Sequence, residues 1–133
     1  MRPSKRTIFV TFEKEGIHKY PSAATDPTLA TGDWDDVSFL ANEHRHVFKF
    51  RVDIDVRHSG REIEFIQFKR WLIRLYDEGP LRLDEKSCEA MAEDLAVRIT
   101  ERYPKRFLRI AVSEDGENGA VLEWNSVPET ATP

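Results

Sequence analysis

A chain of 133 residues with 40% hydrophobic and 33% charged side chains has the size of one domain and enough apolar material for a core, so disorder is not the default. A formal net charge of -4 gives no electrostatic reason for a nucleic-acid partner, and the basic clusters at Lys5-Arg6, Lys69-Arg70 and Lys105-Arg106 read as solvated surface. The single Cys88 excludes an intrachain disulfide, and no stretch approaches the ~20 apolar residues of a membrane span or carries a secretory signal, so a cytoplasmic location is expected.

Thr7 to Phe12 is β-branched and aromatic, which predicts a strand. Glu13 to Glu43 reads as one long irregular segment punctuated by Gly16, Pro21, Pro27 and Gly32. Loops beyond ~15 residues are uncommon in small domains and are often functional. From His44 to Val56 the pattern alternates cleanly. His44, His46, Phe48, Phe50, Val52, Ile54 and Val56 share one face, and Lys49, Arg51, Asp53 and Asp55 take the other. Ser59-Gly60 marks a turn, after which Glu62 to Phe65 is expected to return as a hairpin partner. Ile66 to Tyr76 has helical spacing and is broken at Gly79-Pro80.

A second helix is predicted from an N-cap at Ser87, with Cys88, Met91, Ala92, Leu95, Ile99 and Tyr103 on one face and Pro104 as its stop. Phe107 to Glu114 alternates again, Asp115 to Gly119 is a turn, and Ala120 to Trp124 is the last strand. Residues 125–133 are expected to be a flexible tail on a single domain with its core between about 7 and 124. The order is β-β-α-α-β-β, or one strand longer if the short return strand forms. Strands flanking a helical pair predict an α+β fold: an antiparallel sheet with two helices packed on one face.

His44 and His46 are the sharpest chemical signal. Residues two apart on a strand point the same way, so both imidazoles can ligate one ion, with a third ligand still to be supplied. His18, in the long irregular segment, is the obvious candidate. The bland alternative is that the histidines line a core strand.

The stretch Glu43-His44-Arg45-His46-Val47-Phe48-Lys49-Phe50-Arg51-Val52 is similar to the HGHNY-type strand of the 6-pyruvoyl- and 6-carboxytetrahydropterin synthases. Ile63-Glu64-Phe65-Ile66-Gln67-Phe68-Lys69 resembles that family's segment opening the first helix. Ser87-Cys88-Glu89-Ala90-Met91-Ala92 resembles its T/S-x-E-N-x-A pattern, with Ala90 in place of the Asn. Val112-Ser113-Glu114 before a turn matches its late strand ending on a glutamate. The likeness runs from about Phe9 to Trp124.

This resemblance implies a tunnelling fold (T-fold) that assembles as a homo-oligomer, a trimer or hexamer with sites between subunits. It implies Zn²⁺ on His18, His44 and His46. It also implies a pterin or purine-like ligand anchored by Glu114, with Glu89 beside it, and a lyase activity on dihydroneopterin triphosphate. The family's proton-relay residues do not carry over. No cysteine stands in Val37 to Glu43, where Ser38 and Glu43 are the available groups with Asp35 and Asp36 just before, and Asp77-Glu78 lacks the following histidine. The catalytic residues therefore stay unassigned. A non-catalytic T-fold protein that binds or sequesters a pterin or nucleotide is the alternative, and an interaction module with core histidines is the third reading.

Overall fold

The central strand owes its place to alternation. In the computed structural model, which describes residues 1–125, β2 (His44–Asp55) buries Phe48, Phe50, Val52 and Ile54 on one face, as the pattern predicts. β1 (Thr7–His18) pairs with it antiparallel along its whole length, from Thr7↔Asp55 to His18↔His44. β4 (Leu108–Glu114) flanks β2 on the other side, and β5 (Asn118–Trp124) completes that hairpin. β3 (Leu81–Asp84) lies parallel to the end of β1, so the sheet is mixed, with order β3-β1-β2-β4-β5.

Both helices pack on one face of this sheet. α1 (Phe65–Arg74) buries Phe68 and Leu72, and α2 (Cys88–Arg102) buries Met91, Ala92, Leu95, Ala96 and Ile99 against the apolar face of the strands. Ser87 caps α2 as predicted, its Oγ accepting from the Ala90 N–H at 3.1 Å. Glu64 caps α1, its two carboxylate oxygens accepting from the Ile66 and Gln67 N–H groups. The α+β class with two helices on one sheet face is therefore the observed architecture.

Three expectations are corrected. The first strand does not stop at Phe12 but continues to His18, although Glu13-Lys14-Glu15-Gly16 carries no apolar alternation. Continuous backbone pairing with β2 overrides the weak local propensity there. The irregular segment is correspondingly shorter, spans 19–43, and contains short 3-10 turns at Pro21–Ala24 and Ser38–Ala41.

The return strand at Glu62 to Phe65 does not form. Glu62 instead turns its carboxylate onto the Arg57 N–H at 2.7 Å and onto Arg106, which holds the connection against the body. The parallel strand β3 was not expected, because a four-residue Leu81-Arg82-Leu83-Asp84 run carries too little pattern to register. The expected tail lies, from residue 126 onward, outside the described residues.

Candidate metal centre

The face that holds the core does not stay apolar to its end. Along β1 the side chains on that face run Val10, Phe12, Lys14, Gly16, His18. Along β2 they run backwards as Val52, Phe50, Phe48, His46, His44, and along β4 as Ile110, Val112, Glu114. The end of this face is thus polar, and it gathers His18, His44, His46 and Glu114. Their ligand atoms all lie within 4.8 Å of one another, and the four residues could hold a metal ion.

His18 faces His44 directly as a cross-strand pair, with ring centroids 4.6 Å apart. His46 lies two residues further along β2, 5.0 Å from His44 and 5.4 Å from His18. Phe48 forms the floor, its ring edge-on to His18 and His46 at 5.2 and 5.7 Å. Gly16 makes that floor possible, since a Cβ there would lie 2.8 Å from both the Phe48 ring and Leu83.

Each histidine is oriented through its outer nitrogen. His18 Nδ1 lies 2.9 Å from the Lys86 carbonyl oxygen, His44 Nδ1 2.8 Å from the Asn42 carbonyl oxygen, and His46 Nδ1 2.7 Å from Asp115 Oδ2. Acceptors at all three Nδ1 atoms place a proton there, and in the neutral ring every Nε2 then carries a lone pair. The Nε2 atoms of His18 and His46 are buried without a hydrogen-bond partner. Glu114 Oε2 nonetheless sits 3.0 Å from the first and 3.7 Å from the second. Lone pairs facing one another at such separations repel unless a cation lies between them. A divalent ion with four bonds near 2 Å keeps its ligands about 3.3 Å apart in a tetrahedron. The orphaned nitrogens, the carboxylate and their spacing fit such an ion.

Asp115 is the outer partner of this set. It occupies a left-handed conformation (φ 59) beside Gly116 (φ 77) in the β4–β5 turn, a pairing that Asp-Gly tolerates well. Its other oxygen accepts from the Val47 N–H at 2.9 Å. That hydrogen bond first, and the His46 ring second, hold the Asp115 carboxyl below the usual carboxylate range. A carboxylate behind a metal-binding imidazole fixes its tautomer and raises its basicity. Asp115→Asn is expected to weaken metal affinity about 10–100-fold while leaving the ligands in place. Competition against a chelator of known affinity measures this, and an unchanged affinity would remove Asp115 from the site.

A cavity of about 480 Å³ opens onto the cluster, bounded by His18, His44 and Glu114 on the sheet side and by Cys88, Glu89 and Tyr20 opposite. Cys88 is the first residue of α2 and buried. Burial, followed by the charges of Glu114 and Glu89, pushes its thiol up to about 11, so it is a protonated, neutral group near pH 7. Glu89 is exposed at the mouth of the cavity, in the first turn of α2. Ser38 does not face the cluster as a free hydroxyl. Its Oγ donates to Asp36 Oδ1 at 2.6 Å.

The three histidines singled out from the sequence are therefore brought together, although His18 comes from a strand end and not from a loop. Glu114, expected as a ligand anchor, stands among the four residues that could hold a metal ion. Glu89 lines the same cavity. Asp115 was missed, as was Gly16, because nothing in a Gly/Asp turn or a glycine in a loop-like run marks a link to a histidine far away in sequence. No family model matches this chain, and no curated protein matches it.

Proposed function

We propose that this chain is a zinc-site protein of the tetrahydropterin-synthase type, binding a pterin or related purine-like ligand in the cavity beside His18, His44, His46 and Glu114. The observation that carries this reading is the set of lone pairs on three oriented imidazoles converging on one carboxylate at the wall of an open cavity. Three nitrogen donors suit Zn²⁺, and a catalytic zinc site keeps a position for water or substrate. When bound, the ion supplies Lewis acidity toward a substrate hydroxyl or carbonyl.

The protein's own residues supply the rest. Lys86, Asn42 and Asp115 hold the imidazole rings in orientation. Glu114 Oε2 faces the imidazole nitrogens, which leaves Oε1 to accept an N–H group from an amino-pyrimidine edge. Tyr20 and Leu40 form an apolar wall for a flat ring. If the reaction follows, it is a carbon–oxygen lyase step on the side chain of dihydroneopterin triphosphate.

A second reading has its own support. The segment before β2 offers no thiol, its Ser38 hydroxyl is committed to Asp36, and Cys88 is protonated and enters from α2. A site with donors and cavity but no free proton-transfer group suits a protein that binds or sequesters the ligand without turnover. For either reading we propose a homo-oligomer, a trimer or hexamer. The sheet face away from the helices is uncovered, carries exposed Phe9 and Val121, and presents the Arg51–Asp53 and Arg109–Glu123 pairs.

Zinc-loaded wild type is to be incubated with dihydroneopterin triphosphate, with product followed by chromatography and binding by equilibrium dialysis. Product formation supports the lyase. Stoichiometric binding without product, lost in Glu114→Ala, supports the sequestering protein. Neither binding nor product would sink the pterin assignment.

A further inference from the structure

At the pole of the sheet opposite the histidines, a second cavity of about 520 Å³ lies between the start of β1, the end of β2 and the turn before α1. It is lined by Lys5, Arg6 and Arg61, a concentration of positive charge in a chain whose net charge is -4. Two carboxylates also line it, and both are committed elsewhere. Glu62 is held by Arg106 and the Arg57 N–H, and Glu64 spends both oxygens on the first N–H groups of α1.

The cations are not neutralised in return. Arg61 meets no acceptor among the described residues and is held at φ 62, a left-handed conformation that an arginine adopts only at a cost. Arg6 spends its Nε on the neutral Ser59 hydroxyl at 3.0 Å. The Lys5 ammonium stands over the Phe107 ring, 2.9 Å from its centroid. His58 adds a donor, because its Nδ1 accepts the Gly60 N–H at 3.0 Å and the neutral ring must then carry its proton on Nε2.

The remaining wall is apolar. Ile8 and Val56 pack on the core, Ile63 is buried, and Phe65 exposes more than half of its surface beside the cations. We propose that this cavity is a second ligand site, taking a phosphate-bearing molecule with a flat, apolar body: a nucleoside phosphate. Arg6 and Arg61 grip phosphoryl oxygens with charge-assisted hydrogen bonds, His58 Nε2–H and Lys5 complete the anion contact, and Phe65 offers a face for the base. The site is separate from the histidine cluster and does not depend on what that cluster binds.

The test is calorimetric titration of metal-stripped full-length protein, without divalent cations, with guanosine triphosphate, adenosine triphosphate and pyrophosphate in turn. Saturable nucleotide binding that weakens as salt is raised is expected, tighter than that of pyrophosphate. The Arg6→Gln, Arg61→Asn double variant is expected to raise the dissociation constant about tenfold or more. Asn suits the left-handed backbone at position 61, so the charge is removed without added strain. Arg6→Lys with Arg61→Lys should largely restore binding and guards against a folding defect. The His44→Ala, His46→Ala variant should bind as wild type does.

Absence of saturable nucleotide binding would overturn the proposal. So would binding indifferent to the Arg6→Gln, Arg61→Asn change, or binding lost with the histidines. Equal affinity for pyrophosphate would overturn the nucleoside assignment.

Discussion

The His44→Ala, His46→Ala double variant is expected to lose stoichiometric metal binding, falling from about one ion per chain to none, while its sheet stays folded. Both halves of this expectation come from position. The two histidines are half-buried at the end of β2, beyond the core residues Phe48, Phe50, Val52 and Ile54, so their truncation leaves the apolar rows intact. They are also two of the four donors, and no other His, Cys, Asp or Glu among the described residues joins the group. With only His18 and Glu114 remaining, the loss in affinity should exceed the 10–100-fold typical of an outer partner such as Asp115.

Elemental analysis of untagged protein purified without chelator measures the ion. Thermal unfolding with and without added zinc supplies an independent readout. A ligand at a hundred times its dissociation constant stabilises the native state by about 2.7 kcal/mol, a gain that wild type should show and the double variant should not. Metal retained by a folded double variant would place the ion elsewhere. No metal in wild type, even when zinc is supplied, would remove the centre altogether.

Glu62→Gln is expected to destabilise the fold by about 1.5–3 kcal/mol, the loss of charge-assisted hydrogen bonds in a part-buried pair. The Arg106 side chain is only 7% exposed, and its guanidinium grips the carboxylate of Glu62, a side chain 18% exposed, through two parallel bonds of 2.9 and 2.6 Å. Arg106 Nη1 also donates to the Asp55 carbonyl oxygen at 3.1 Å. One ion pair thus ties the turn after β2 to the approach to β4, where the expected return strand does not form.

The same pair sets an acid dependence. Chiefly through the Arg106 bonds, the Glu62 carboxyl is held down to about 2 from an ordinary 4.5. A folded value below the unfolded one means that the stabilisation is fully present above about pH 4.5 and is lost as pH falls toward 2. Urea unfolding from pH 7 to pH 2.5 should show wild-type stability dropping in that acid window, with a smaller drop in Glu62→Gln. Equal stability of the two proteins at pH 7 would show that the pair does not hold this connection.

Much of the site's logic was written in β2 itself. Period-two alternation is a local property of a strand, so the common face of His44, His46 and Phe48 follows from spacing alone and is what the structure displays. The Ser87 cap and the buried stripe of α2 were legible for the same reason, since both depend on residues within one or two turns. The extent of β1 was not. Glu13 to Gly16 has the composition of a loop, and only the ladder with β2 makes it a strand that delivers His18 opposite His44.

What the sequence by itself determined is the class of the fold, the strand and helix faces that make the core, and two histidines aimed together. What only the tertiary structure decided is the company those histidines keep. The register of β1 and β4 against β2 sets His18 and Glu114 beside them, the β4–β5 turn puts Asp115 behind His46, and α2 closes the cavity with Cys88 and Glu89. The parallel edge strand β3 and the Glu62–Arg106 tie belong to the same category. In each case the partners lie far apart in the chain. Contacts of that kind are set by backbone pairing and packing, and leave no periodic trace in either segment alone.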